Sequence, residues 1–476
     1  MVSLKQKTLG GVKWSAFERF STQGISFIIS IILARILSPS DYGVIGMISI
    51  FIAVSTVFTG AGFSAALIRK QDRTEIDFST VFYYNLSVSI LCYLLLFFAA
   101  PWIASFYKTP LLTSITRIVG LNIFFGALGT IQITKLTIAI DFKTQAKISL
   151  ISVFITGAIG ILMAYNGFGV WALVFQGLSA TIISTSLLWY FVRWKPSLIF
   201  SVASFKELFG FCSKLMLSGL LDTIYNNIYQ LIIGKKYSAS ELGYFTRATG
   251  LVQLPSSNIT GVIQRVTFPI LSEIQHDSER LTNTYRRLLK MSAFIIFPIM
   301  ALLAALGEPL VQLLLTDKWL PVVPILQVLA VSYMFYPIHA INLNLLQVKG
   351  HSNIFLRLEI IKKIMITIIL FASVPFGIMG ICYGMVITSL IALIINTYYT
   401  GKIIKYGFFK QMNDLKLSFC ISIIVCASAF FLTKYFNSLI LQLFFGGLSG
   451  VIVLLGGAYL FKMDELKEIR SLFLRS

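Results

Sequence analysis

The stretch Leu37-Ser38-Pro39-Ser40-Asp41-Tyr42-Gly43 closes one long apolar run and opens the next. About two hundred positions on, Tyr237-Ser238-Ala239-Ser240-Glu241-Leu242-Gly243 stands at the same point of a similar pattern. Ser38 matches Ser238, Ser40 matches Ser240, Asp41 matches Glu241 and Gly43 matches Gly243. The first serine of each copy suits a helix N-cap, where its hydroxyl takes an otherwise orphaned backbone amide. The acid three residues later meets the positive end of the helix dipole. One such cap is a weak signal; the same cap in register twice predicts two copies of one helical bundle.

Composition sets the class around this repeat. The 476 residues are 57% hydrophobic and only 12% charged, against about 25% charged in a soluble domain. Apolar runs of ~18 or more residues recur along the chain, which predicts an all-α polytopic membrane protein. Fourteen spans are expected, near 14–36, 44–67, 79–104, 111–137, 146–165, 168–192, 208–234, 242–269, 289–307, 322–347, 354–374, 377–401, 415–434 and 438–461. The repeat reappears at Gly62-Phe63 and Thr267-Phe268, which end the second and eighth spans, and at Phe168-Gly169 and Phe376-Gly377, which enter the sixth and twelfth. A parallel repeat of six spans follows, with the offset drifting from about 200 to about 208 residues. The expected divisions are a six-helix lobe at 1–200, a second at 201–410, and two appended helices with a tail at 411–476.

The net charge of +20 would suggest nucleic acid in a soluble protein. Here the basic residues gather in alternate short loops, so they are read as topology and nucleic acid is set aside. One set of segments holds Lys5, Lys7 and Lys13, then Arg69, Lys70 and Arg73, then Lys135, Lys143 and Lys147, and so on to Lys462, Lys467, Arg470 and Arg475. The intervening loops hold few, among them Arg35, Lys108 and Lys235. This bias places both termini in the cytoplasm. The five cysteines lie in or beside apolar runs with no CxxC pair, so core positions are expected in place of disulfides or metal sites.

Polar residues inside the spans are the candidate site. On the seventh span Asp222, Asn226 and Gln230 recur every four positions, which puts them on one helical face. Glu18, Thr22, Ser26 and Ser30 occupy the matching positions of the first span. A charged group facing lipid costs at least ~2.5–3.5 kcal/mol. Two readings stand: a lining for a polar substrate, or hydrogen bonds between packed helices. The eighth span carries Gln253 within a stripe that includes Thr246, Ser257, Thr260 and Gln264, with Arg247 at its outer end and Pro255 in the middle, where a bend is expected. Arg35, Arg117 and Lys214 are further cations, suited to phosphate oxygens or to snorkelling at the interface. The basic segment Ser278–Lys290 reads as a short helix on the membrane surface. No P-loop, nucleophile elbow, HExxH or Rossmann glycine pattern is present, and no cofactor is implied.

The run Ala34-Arg35-Ile36-Leu37-Ser38-Pro39-Ser40-Asp41-Tyr42-Gly43 resembles the first-loop signature of Wzx-type bacterial polysaccharide flippases. Phe268-Pro269-Ile270-Leu271-Ser272 and the Phe-Gly entry to the sixth span are similar to that family too, which belongs to the multidrug/oligosaccharidyl-lipid/polysaccharide exporter superfamily. The resemblance covers essentially the whole chain. It implies a V-shaped pair of lobes working by alternating access in the bacterial inner membrane. The implied cargo is an undecaprenyl-pyrophosphate-linked oligosaccharide, moved from the cytoplasmic to the periplasmic leaflet, with polymerase and glycosyltransferase partners and a proton or sodium ion for coupling. Arg35, Arg117, Lys214 and Arg247 are then the expected contacts for anionic groups, and Asp222, Asn226, Gln230 and Gln253 those for sugar hydroxyls or the coupling cation. In related lipid II flippases cavity arginines bind the pyrophosphate; the middle of the first span here, Ser26–Ser30, has none. A cation-coupled drug exporter and a lipid II flippase are the rival readings. A membrane enzyme would need a larger outer loop than this chain offers.

Overall fold

The protein is described by a computed structural model over residues 4–468, so Arg470 and Arg475 lie outside the described residues. Seventeen α-helices and two short 3-10 turns make up the described chain. The helices of the first half are α1 (Leu4–Ile36), α2 (Pro39–Phe58), α3 (Ala61–Arg69), α4 (Glu75–Tyr107), α5 (Leu112–Ile138), α6 (Phe142–Tyr165), α7 (Val170–Val192) and α8 (Val202–Lys236). There follow α9 (Ala239–Glu273), α10 (Ser278–Ala305), α11 (Gly307–Leu315), α12 (Val322–Met334), α13 (Tyr336–Val348), α14 (Ser352–Ser373), α15 (Gly377–Ile404), α16 (Phe408–Tyr435) and α17 (Leu439–Leu460).

Among the described residues, twelve segments are long and apolar enough to cross a membrane. One of them, Asn353–Ile404, holds both α14 and α15, and the more polar α9 adds a further helix of spanning length. Fourteen spans result, as the hydropathy pattern predicts. The protein is a multi-pass α-helical membrane protein.

Both duplicated motifs form capping boxes. Ser38 N–H donates to Asp41 Oδ2 at 2.9 Å while Asp41 N–H donates to Ser38 Oγ at 3.3 Å. Ser238 N–H donates to Glu241 Oε2 at 3.0 Å and Glu241 N–H to Ser238 Oγ at 3.2 Å. Two orphan amides are satisfied reciprocally in each case. A third box, at Thr74 and Asp77, opens α4.

Three local readings change. The second span is broken into α2 and α3 at Thr59 and Gly60, where Gly60-Ala61-Gly62 offers little helix propensity. The tenth is broken into α12 and α13 at Phe335, and Pro337 falls in the first turn of α13, where a missing N–H costs nothing. Ser278–Lys290, expected to lie on the surface as a separate helix, is the first part of α10. Its cations bind acids: Arg286 with Asp414, Arg287 with Glu468, and Lys290 with Glu465 at 3.3 Å. α9 runs through Pro255 and Pro269 without interruption.

Packing divides the chain into two compact units, Met1–Gly243 and Tyr244–Ser476. In the first, α1 packs on α6, α5 on α4 and α7, and α8 on α2, α3 and α4. Its core gathers Phe63, Leu67, Phe78, Phe82, Trp194 and Leu208. α8, which the repeat counts as the first helix of the second copy, thus packs with helices of the first. In the second unit α10 packs on α12 and α16, α15 on α12 and α14, and α16 on α17. The two helices read as appended are joined to this core through Phe294, Ile421, Val425 and Ala458.

Candidate functional site

α8 is anchored at its ends and open between them. Ser204, Leu208 and Cys212 are buried near its start and Ile233 and Gly234 near its end, but none of the described residues from Ser213 to Ile232 is buried. Along that stretch Lys214, Ser218, Asp222 and Asn226 follow one another every four positions, and all four are exposed. This spacing keeps them on one slowly winding face. Gln230 continues the row, half-buried, and its Oε1 accepts a hydrogen bond from Ser49 Oγ of α2 at 2.6 Å.

α17 makes the opposite choice. It too is largely exposed, but through Ile440, Phe444, Ile452 and Leu460. An exposed apolar face belongs in lipid. An exposed lysine or aspartate in a membrane span costs free energy wherever it faces hydrocarbon. The matching row on α1 is partly used up in packing. Glu18 Oε1 accepts from Ser149 Oγ of α6 at 2.6 Å, and the Thr22 hydroxyl turns back to the Glu18 carbonyl at 2.6 Å. The two copies therefore differ: Glu18 is bonded to a neighbouring helix, whereas Lys214, Ser218, Asp222 and Asn226 are exposed.

The other candidates are dispersed. Arg117, half-buried on α5, is fixed by α4: its Nε donates to the Phe97 carbonyl at 3.3 Å and its guanidinium lies 4.3 Å from the centre of the Phe97 ring. Arg35 is exposed in the last turn of α1. Arg247 is half-buried and Gln253 exposed, both on the part of α9 that lies in the second unit. Within the first unit, only Lys214, Asp222, Asn226 and Gln230 share one element.

Sequence reasoning missed two groups of polar residues. In the second unit, Asn342 exchanges hydrogen bonds with Gln411 at 3.1 and 3.2 Å and accepts from Thr400 Oγ1 at 2.8 Å, while His339 meets Ser389 at 3.2 Å and Asn396 at 3.3 Å. The partners of His339 and Asn342 lie 50 to 69 residues away. The only signal was the spacing of Ser389, Asn396 and Thr400 along one helix. These bonds tie α13, α15 and α16 together. The second group lines a pocket at the break between α2 and α3, described below.

Residues 32–324 match the profile of a family described as polysaccharide biosynthesis proteins. Teichuronic acid biosynthesis protein TuaB of Bacillus subtilis is 25% identical over 89% of this chain and 88% of its own. Lipopolysaccharide biosynthesis protein WzxC of Escherichia coli is 22% identical over 89% and 87%. Among solved structures, lipid II flippase MurJ in an inward closed conformation superposes with a TM-score of 0.79 at 16% identity, covering 96% of this chain and all of that one. An inward-facing multidrug resistance MATE family transporter of the MOP superfamily does so with a TM-score of 0.63 at 16% identity, over 81% of this chain and 96% of its own. The chain thus belongs to the polysaccharide biosynthesis protein family and has the helical fold of MurJ and of the MATE transporters.

Proposed function

We propose that the protein is a transporter, not an enzyme, and that it carries a lipid-linked oligosaccharide from the cytoplasmic to the periplasmic leaflet by alternating access. The observation that carries this reading is the solvent-accessible polar row Lys214, Ser218, Asp222 and Asn226 on a membrane-spanning helix. Such a row supports a water-filled path for a polar headgroup, while the lipid tail of the cargo stays in the bilayer. The cargo inferred is undecaprenyl-pyrophosphate-linked oligosaccharide, destined for surface polysaccharide. The relatives' names, teichuronic acid and lipopolysaccharide biosynthesis, support that class. Lys214, with Arg35, Arg117 and Arg247, supplies cationic contacts for phosphate; Asp222, Asn226, Gln230 and Gln253 supply hydrogen bonds for sugar hydroxyls or bind a coupling proton or sodium ion. The charge bias of the loops supports a bacterial inner-membrane protein with both termini cytoplasmic, working with glycosyltransferases and a polymerase. The repeats at 1–200 and 201–410 are the inferred moving halves.

An exposed membrane aspartate, Asp222, also suits a cation-coupled drug exporter of the same fold. The two readings separate in proteoliposomes. Translocation of an oligosaccharide-diphospholipid by the intact chain, lost in Asp222→Ala and in Arg247→Ala, supports the flippase. No lipid translocation, with proton- or sodium-driven efflux of a cationic dye, moves the assignment to the exporter. Movement of lipid II alone makes it a lipid II flippase.

A further inference from the structure

At the break between α2 and α3 the first unit holds an open pocket of about 310 Å³, with α5 as its far wall. Its polar lining is Thr56, Thr59, Ser64, Asn122 and Thr130, and Gly60 lies among them. Neither an acid nor a base lines it. The hydrogen bonds already made decide what the pocket still offers. Thr56 Oγ1 donates to the Ala53 carbonyl at 2.8 Å, Thr59 Oγ1 to Thr56 at 3.2 Å and Thr130 Oγ1 to Gly126 at 3.2 Å. Their protons are committed to their own helices, so each presents lone pairs. Thr134 Oγ1 gives its one proton to the Thr130 carbonyl at 2.7 Å and lies 3.1 Å from Ser64 Oγ, so the Ser64 hydroxyl can still give or take a hydrogen bond. Asn122 accepts from Thr181 at 2.7 Å and donates once to Val119 at 3.0 Å, which leaves one amide hydrogen.

Behind Gly60 lies Asn85 of α4, fully buried, with neither Oδ1 nor Nδ2 hydrogen-bonded among the described residues. A Cβ on Gly60 would stand 3.7 Å from Asn85 Nδ2 and 3.1 Å from Thr130 Cγ2. Gly60 lines the pocket, and the amide behind it is enclosed by the protein. An unsatisfied buried amide costs about 1–3 kcal/mol and calls for a partner.

We propose that this pocket is a subsite for one uncharged pyranose ring of the cargo; the proposal rests on the transport reading above. A sugar hydroxyl both gives and takes a hydrogen bond, which matches lone pairs on three threonines beside donors on Ser64 and Asn122. A bare cation finds no carboxylate here, and the volume is about ten times the ~30 Å³ of one water molecule in the liquid. It lies at the lower end of the ~300–1,000 Å³ range of small-molecule sites. A phosphate finds no arginine or lysine.

The test uses the full chain in lipid nanodiscs and follows its thermal unfolding with the methyl glycosides of glucose, galactose, rhamnose and N-acetylglucosamine. Isosmotic sorbitol and sodium chloride are the controls. At least one glycoside is expected to raise the Tm saturably, with sorbitol inert. Asn122→Leu and the near-isosteric Thr130→Val should each raise the half-saturating concentration at least tenfold, while keeping the ligand-free Tm within a few degrees. Gly60→Ala, which narrows the pocket, should raise the half-saturating concentration too, with a lower ligand-free Tm because a side chain at φ +158° is strained. The subsite is overturned by a response to sodium alone, by no response to any glycoside, or by a response that all three variants retain. Sugar-lipid translocation in the same nanodisc-matched preparations, moved to vesicles, keeps the two readings apart. Translocation without a glycoside response sinks only the subsite; a glycoside response without translocation sinks only the transport reading.

Discussion

Gly43 lies against the backbone of Ala239: a Cβ on Gly43 would fall 1.7 Å from the Ala239 carbonyl oxygen. The relationship is reciprocal, since a Cβ on Gly243 would fall 1.9 Å from the carbonyl oxygen of Pro39. The two copies of the Ser-x-Ser-acid-x-Gly motif therefore cross at their glycines, each glycine packed on the first turn of the other helix. A backbone carbonyl cannot swing aside as a side-chain tip can, so any side chain here forces the two helix starts apart.

Gly43→Ala and Gly243→Ala should each destabilise by at least ~1–3 kcal/mol, the usual cost of overpacking. Gly250→Ala, on a helix with open space around it, should be neutral or stabilise by up to ~1 kcal/mol. Thermal unfolding of the purified chain separates them. Equal midpoints for Gly43→Ala and Gly250→Ala would show that the close approach is absent.

Asp77 is 3% exposed and gathers four donors: Thr74 N–H at 2.8 Å, Thr74 Oγ1 at 3.1 Å, Lys70 Nζ at 3.3 Å and the Ser204 hydroxyl of α8. Asp77→Ala removes a helix cap and leaves Lys70 short of a partner. A loss of ~3–5 kcal/mol is expected, as for breaking a buried pair. Glu207→Ala, whose carboxylate is 61% exposed and also binds Lys70 at 2.9 Å, should cost under ~1 kcal/mol. Denaturant titration of both variants checks the ratio; similar losses would contradict it.

The same cluster sets a pH dependence. The Lys70 ammonium is held above its ordinary value of 10.5, chiefly by its hydrogen bond to Glu207, with Asp77 adding. A raised basic group contributes its stability below the unfolded value and loses it as pH rises through the folded one. Wild type should therefore exceed Lys70→Met by a constant margin from about pH 7 to 9, and the margin should close above about pH 10.5. A margin that closes on acidification through neutrality would assign it to another group.

Asp414 joins α16 to α10. Arg286 grips both of its oxygens, with Nη2 to Oδ1 at 2.5 Å, and the Tyr406 hydroxyl donates to Oδ2 at 2.5 Å. Asp414→Ala should cost ~1.5–3 kcal/mol, the range for hydrogen bonds to a charged group. Arg286→Lys, which loses the two-pronged geometry, should fall between that variant and wild type. Faster amide exchange at the start of α16 is the local readout; unchanged exchange there in Asp414→Ala would remove the tie between the helices.

Asn226→Leu and Lys214→Met replace exposed groups, so unfolding midpoints should shift by no more than ~0.5 kcal/mol equivalents. Translocation should fall at least tenfold if the row lines the path. A large stability loss with translocation unchanged would return these residues to ordinary packing.

Hydropathy alone located the fourteen spans, because an apolar run long enough to cross a membrane is a property of local sequence. The duplicated caps at Ser38 and Ser238 were legible for the same reason: donor and acceptor lie three residues apart. So was the row Asp222, Asn226, Gln230, since a four-residue spacing fixes a helical face whatever surrounds it. The break at Gly60 was only hinted at by Gly60-Ala61-Gly62. Tertiary structure alone decided which polar residues are bonded across helices and which are exposed. Glu18 and Asp222 occupy matching positions of the repeat, yet Glu18 meets Ser149, 131 residues away, and Asp222 is exposed. Asp77 finds Ser204 across 127 residues, and Asn342 finds Gln411 across 69. Such partners are set by how helices dock, and docking depends on side-chain shape summed over many residues. The periodicity of any one helix does not carry that information.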